Sequence, residues 1–249
     1  MKKLIKLKNI IYLTYKIFFD KKSNFRNLLI KSPEEFFETE EYINKLIKFY
    51  FSEHNPFNGQ KVRTEIVKDI ISNENFDKII ETGTHIGNTT KFLSKFKIPI
   101  ETVEINKYYS ELSKLRFDQV DNVKVINENS AEYLKCLDKS LSYFIYLDAH
   151  WYSDLPLNNE LEILSQVKKQ IILIDDFKVP HHKDWGFDKY NDVELSLDHI
   201  EIPKEFKIFF PNYKPIKEQN LPRGYVLLTS SQDYYQKLSK IELLSEYNN

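Results

Sequence analysis

The chain has 249 residues, enough for one large α/β domain or for a domain with an appendage. Its 36 basic and 37 acidic residues nearly cancel to a formal net charge of −1, which argues against the basic face of a nucleic-acid binder. The single cysteine, Cys136, excludes an intramolecular disulfide framework and fits a reducing, cytoplasmic compartment.

At the N-terminus, Leu4, Leu7, Ile11, Tyr15 and Phe18 recur at helical spacing, with Lys2, Lys3, Lys6, Lys8 and Lys16 among them. No uninterrupted apolar run there is long enough to cross a membrane, and the lysines interrupt any signal-peptide core. Two readings of residues 1–20 stand. One is an amphipathic helix packing on its own domain or on a second copy, as in a homo-oligomer. The other is a basic helix lying on an anionic membrane, peripheral at its inner face. With a further helical stretch from Pro33 to Ser52, residues 1–58 read as an N-terminal helical extension and 59–249 as the main domain.

The main domain alternates helices and strands. Helical patterns run over Val62–Ser72, Thr89–Lys95, Tyr108–Phe117, Ala131–Leu137 and Leu157–Lys168. Between them lie short β-rich segments at Lys78–Thr82, Ile100–Ile105, Val123–Asn127, Tyr143–Leu147 and Ile171–Ile174. Such alternation predicts a parallel sheet with helices on both faces. Phe206–Phe210 and Tyr225–Thr229 are strand-like with no helix between them, which predicts an antiparallel pair at one edge. Cys136 falls within a helical pattern and is expected to be packed.

Only five glycines occur, and two of them, Gly83 and Gly87, sit in the segment Glu81-Thr82-Gly83-Thr84-His85-Ile86-Gly87-Asn88-Thr89-Thr90. A chain so poor in glycine uses it where the backbone bends sharply or approaches a ligand. About 20 residues beyond the turn the next strand ends in Glu104, the place for an acid that holds a ribose hydroxyl. Turn and acid together point to a nucleoside cofactor. A dinucleotide site wants G-x-G-x-x-G, whereas here the middle glycine is missing and Glu81 adds a carboxylate. That carboxylate repels a pyrophosphate and attracts an ammonium or sulfonium centre.

The segment resembles motif I of the class I S-adenosylmethionine (SAM) methyltransferases. The resemblance implies a Rossmann-like fold: a seven-stranded, mostly parallel sheet with an antiparallel edge strand and helices on both faces. It implies SAM contacts from Glu81, Thr82, Gly83, Thr84, Gly87, Thr89, Thr90 and Glu104, with Asn129 and Ser130 at the adenine and Asp148 nearby.

Two apolar strands end abruptly in acids, at Leu147-Asp148-Ala149-His150-Trp151 and Ile174-Asp175-Asp176-Phe177. Neighbouring strands of that kind bring Asp148, Asp175 and Asp176 together, where they repel unless a cation or protons intervene. Oxygen-only ligation suits Mg²⁺; the plainer alternative is that one aspartate caps a helix and another meets cofactor or solvent.

The pair of strand endings resembles those of metal-dependent sugar O-methyltransferases of the macrocin and aminocoumarin type, over Asn58 to Ser230. That likeness implies Mg²⁺ held by Asp148, Asp175 and Asp176. Where those enzymes carry an acidic general base, this chain has His150, which can accept a hydroxyl proton at neutral pH. Asn58-Gly59-Gln60, Leu155-Pro156-Leu157-x-x-Glu160-Leu161 and Asp175-Asp176-Phe177-x-Val179-Pro180 are also similar to a bacterial group associated with surface-polysaccharide gene clusters. The implied acceptor is a carbohydrate, as a glycan or glycan precursor.

Lys178–Pro203 is expected to be a polar and aromatic lid over the acids. Trp151, Tyr152 and Trp185 are candidates to stack on a sugar, and Arg63 and Arg223 to meet an acceptor anion. His181-His182 lacks zinc-ligand spacing and is expected to be solvated or to touch acceptor. Two other classes stay open on sequence: a nicotinamide oxidoreductase and a non-catalytic scaffold of the same fold.

Overall fold

A computed structural model describes residues 55–150, 155–180, 182–218 and 222–248. The N-terminal segment 1–54 and Trp151, Tyr152 and His181 lie outside the described residues, and with them the expectations placed there. Among the described residues no helix is long and apolar enough to cross a membrane.

After a 3-10 turn at Phe57–Gly59, helix α1 (Lys61–Asn73) buries Ile66, Val67, Ile70 and Ile71 along one stripe. Strand β1 (Lys78–Thr82) leads to α2 (Asn88–Leu93), then β2 (Ile100–Val103), α3 (Lys107–Phe117), β3 (Val123–Ile126) and α4 (Ser130–Leu134). Strand β4 (Ser142–Leu147), α5 (Leu157–Leu164) and β5 (Lys169–Ile174) complete the alternating part. A two-stranded hairpin, β6 (Lys189–Tyr190) and β7 (Val193–Glu194), precedes β8 (Lys207–Pro211), β9 (Val226–Thr229), α6 (Gln232–Leu238) and β10 (Leu244–Glu246).

The main sheet has eight strands in the order β10-β8-β9-β5-β4-β1-β2-β3. Strands β3, β2, β1, β4 and β5 are parallel, and β9 joins β5 antiparallel, then β8 joins β9 and β10 joins β8. This is the expected mostly parallel sheet with the antiparallel pair on one side, extended by β10 at the edge. Every residue of β4 is buried, which explains its unbroken apolar pattern: a central parallel strand is covered on both faces.

Register aligns the strand ends. Thr82 pairs with Val103 on one side and Leu147 on the other, and Leu147 pairs with Ile174. The residues that follow, Gly83, Glu104, Asp148 and Asp175, therefore leave the sheet in one row. The chain order reverses between β1 and β4, and open α/β sheets bind ligands at such a switch point.

Cys136 departs from expectation. Helix α4 ends at Leu134, and the thiol is exposed in the turn beyond it. The buried positions run 130, 131, 133, 134 and 137, and 136 falls off that face.

Candidate active site

The β1–α2 turn is shaped by its glycines. Gly83 has φ +82°, and a Cβ there would lie 2.1 Å from the Asp148 carbonyl oxygen. Gly87, at φ +73°, is the N-cap of α2, and a Cβ would press into the Phe117 ring at 2.5 Å. Any side chain at either place would push β1 away from β4 or α2 from α3.

Beside this turn lies a cavity of about 560 Å³. Its wall includes Glu81, Gly83, Thr84, Gly87, Thr89, Glu104, Asn129, Ser130 and Asp148, so most of the expected cofactor residues share one chamber. Thr82 and Thr90 stand behind it, fully buried. Sequence reasoning missed other parts of the wall: Phe57, Ile105, Tyr109 and Tyr146.

Glu81 is 1% exposed, and its Oε2 accepts from Thr102 Oγ1 at 2.6 Å and from the Thr90 hydroxyl. Burial pushes its carboxyl up to about 7, against the pull of those two hydroxyls. Glu104 receives the His85 amide at 2.7 Å and the Asn106 amide at 2.8 Å, one on each oxygen. Burial raises its pKa and the amides oppose the rise. A carboxylate offers about four lone-pair sites, so two bonds leave Glu104 capacity for a ligand. Asn129 caps α4, accepting from the Glu132 amide at 3.2 Å, which sets Ser130 at the cavity wall.

Next to the cavity the ends of β4 and β5 bring Asp148, His150 and Asp176 together, each offering a ligand atom within 4.8 Å of the others. His150 is 2% exposed, and its Nε2 lies 3.5 Å from Asp148 Oδ1 and 3.9 Å from Asp176 Oδ2, with no hydrogen-bond partner. Asp176 adopts φ +52° and is held by Arg223 Nε at 2.6 Å; Arg223 also grips Asp188 at the start of the hairpin. Burial raises the Asp176 carboxyl, but His150 and Arg223 hold it below the ordinary range.

Asp175 stands apart from this group. Its Oδ1 lies 2.5 Å from Arg63 Nη1 and its Oδ2 accepts from the Tyr146 hydroxyl, all buried. Tyr146 also faces Asp148 Oδ2 at 2.9 Å. One hydroxyl proton cannot serve two carboxylates, and enclosure followed by the charges of Asp175 and Asp176 pushes Asp148 well above its ordinary range, although a quarter of its side chain is open.

Two aromatic or basic candidates, Arg63 and Trp185, sit elsewhere than expected. Arg63 is fully buried among Phe57, Tyr146 and Tyr225, so it cannot meet an acceptor anion. Trp185 is 2% exposed and packs edge-on against Tyr213 and Tyr225. Among the described residues of the expected lid, Tyr190 lies beside the cluster, its ring 5.7 Å from the His150 ring. Glu160 was also missed as a site residue. It is 1% exposed, and burial raises its pKa while Ser130, His150 and Thr82 pull it down. Its signal was an acid on the apolar stripe of Leu157, Leu161 and Leu164.

No protein-family model and no curated protein matches this sequence. Among solved structures, a candidate O-methyltransferase from Klebsiella pneumoniae aligns over 82% of this chain and 94% of its own, with TM-score 0.53 and 13% identity. The fold is that of the class I methyltransferases. A candidate caffeoyl-CoA O-methyltransferase from Staphylococcus aureus aligns over 75% of this chain and 90% of its own, with TM-score 0.51 and 19% identity. At such identities the likeness is one of fold; Gly83, Glu104, Asp148 and Asp175 follow the carboxyl ends of its strands, the side on which open α/β sheets bind ligands.

Proposed function

We propose that the protein is a SAM-dependent methyltransferase acting on oxygen, with a carbohydrate hydroxyl of a surface glycan or glycan precursor as acceptor. The observation that carries the reading is the single cavity of about 560 Å³ that Glu81, Gly83, Glu104, Ser130 and Asp148 line together. That volume falls in the range of about 300–1,000 Å³ typical of small-ligand pockets. The acceptor class rests on the sequence resemblance over Asn58 to Ser230.

SAM supplies a methyl group already activated on a sulfonium centre. The chain's own residues bind and orient. Gly83 allows the backbone close to the ligand, and Glu81, when ionised, attracts its cationic end. Glu104 receives the ribose hydroxyls, and Asn129 and Ser130 border the adenine. Asp148 stands at the boundary between this cavity and the cluster with His150 and Asp176. An acceptor hydroxyl held between them would be aligned for attack on the methyl carbon; the oxygen–carbon bond forms as the sulfur–carbon bond breaks, the sulfur leaves as a neutral thioether, and the hydroxyl proton passes to the cluster. Metal assistance belongs to the same reading. The residues able to hold an ion are Asp148 and Asp176, with His150 between them, and an ion there would acidify a coordinated hydroxyl.

The test is calorimetric titration with SAM, with Glu104→Ala as control. Saturable binding that the variant loses supports the reading and justifies an acceptor screen. Absence of binding by folded wild type overturns it and turns attention to NAD(H) and to a scaffold role.

A further inference from the structure

We propose that Asn58 recognises the carboxylate at the amino-acid end of the cofactor, its side-chain amide donating a hydrogen bond where the cavity offers no cationic side chain. The proposal rests on the SAM reading and deepens it, naming the group that meets a part of SAM which Glu81, Glu104 and Ser130 leave unmatched.

The make-up of the wall poses the problem. Glu81, Glu104, Glu128 and Asp148 all border the cavity, and among the described residues no lysine or arginine does. His85 is there too, but burial lowers its pKa, so the ring is neutral near pH 7. A ligand carboxylate in such a chamber is repelled by the acids and has to be met by neutral donors. Glu104, Asn129 and Ser130 take the nucleoside end, so the amino-acid end falls beside Glu81. The turn Phe57–Gly59 is tied to that end. The Phe57 amide donates to Thr89 Oγ1 at 3.4 Å, and the neighbouring Thr90 hydroxyl donates to Glu81.

The backbone of this turn is unusual. Phe57, Asn58 and Gly59 take three successive positive φ values, 50°, 55° and 78°. A bulky residue rarely adopts that region, and it persists where the surroundings over-determine it, commonly at ligand clamps. The anchors are visible on both sides. The Phe57 ring stands edge-on to Phe92 and Tyr146, with centroids 5.6 and 5.3 Å away. Beyond the turn, Gln60 Nε2 donates to the Arg223 carbonyl at 2.9 Å. Between these anchors Asn58 is exposed and lines the cavity, and its amide has no hydrogen-bond partner among the described residues. Asparagine tolerates the left-handed region better than most residues that carry a side chain, so one residue serves both the turn and the ligand.

The experiment is calorimetric titration of the full chain with SAM and with decarboxylated SAM, which keeps the sulfonium and the ammonium and lacks the carboxylate alone. The variant is Asn58→Gly, because glycine accepts the same positive φ and removes only the amide. It should bind SAM about tenfold more weakly, the scale of one hydrogen bond to a charged group, and bind decarboxylated SAM as wild type does. Asn58→Asp, which keeps the size and sets a second charge against the carboxylate, should weaken SAM at least as much and spare decarboxylated SAM. It carries the test if the glycine variant does not fold, as read by circular dichroism. Unchanged SAM affinity in the variants overturns the proposal. So does an equal loss for both ligands, which would assign Asn58 to the shape of the turn. The two claims separate on wild type: SAM binding that the variants retain removes this inference alone, whereas no SAM binding by folded wild type removes the cofactor reading and this inference with it.

Discussion

Arg63 Nη1 lies 2.5 Å from Asp175 Oδ1, with both side chains shut off from solvent. The residues come from the helix before the sheet and from the end of its fifth strand, so the pair ties α1 to the site. Phe57 and Tyr225 cover the guanidinium at 4.8 and 4.9 Å. The charge of Asp175 opposes burial to hold Arg63 protonated.

Removing one member strands the other. Arg63→Met is expected to cost about 3–5 kcal/mol in urea unfolding, the usual penalty for an unpaired buried charge. Asp175→Asn keeps the shape and should leave the affinity for an added divalent ion within about threefold of wild type in folded protein, whereas Asp176→Asn should not. Equal losses in the two variants would place Asp175 among the ligands.

Gly83→Ala tests the close approach of β1 and β4. Its methyl would sit 2.1 Å from the Asp148 carbonyl oxygen, at a φ of +82° that alanine adopts poorly. The variant should lose SAM binding by more than about tenfold and unfold at lower temperature, because strain at a special backbone conformation costs about 1–3 kcal/mol and here a clash adds to it. Wild-type SAM affinity in a folded variant would contradict the placement.

Glu81 sets a pH dependence of definite sign. Its carboxyl titrates near 7 in the folded protein against 4.5 for the free group. Between those values the folded chain keeps a proton that the unfolded chain has lost, so this group's contribution to stability is full below 4.5 and falls as pH rises toward 7. Binding of a cationic ligand runs the other way. SAM affinity should increase from pH 6 to pH 8 as Glu81 ionises, and Glu81→Gln should flatten that rise. A rise of the same size in the variant would assign it to another group.

Ion removal should be visible in stability. A divalent ion at about 100 times its dissociation constant adds about 2.7 kcal/mol, which for a chain of this length raises Tm by roughly 5 °C or more. EDTA should reverse the shift, and His150→Ala should show none. A shift unchanged in that variant would put the ion elsewhere.

The succession of strands along the chain and the ends of β1, β2, β4 and β5 were legible in the sequence because each depends on local pattern. Apolar runs closed by acids mark strands buried on both faces, and scarce glycine marks the turn at Gly83. Tyr146 was within reach too, two residues before Asp148 and so on the same side of β4. Which acid faces an ion and which is spent on Arg63 depended on pairing two residues 112 positions apart. The same holds for Phe57 in the cavity wall, for Trp185 packed on Tyr213 and Tyr225 rather than facing a ligand, and for Arg223 drawing Asp176 toward the hairpin. Periodicity states which face of an element is buried; only the packed structure decides what that face meets, because side-chain partners are chosen by distance in space and not along the chain.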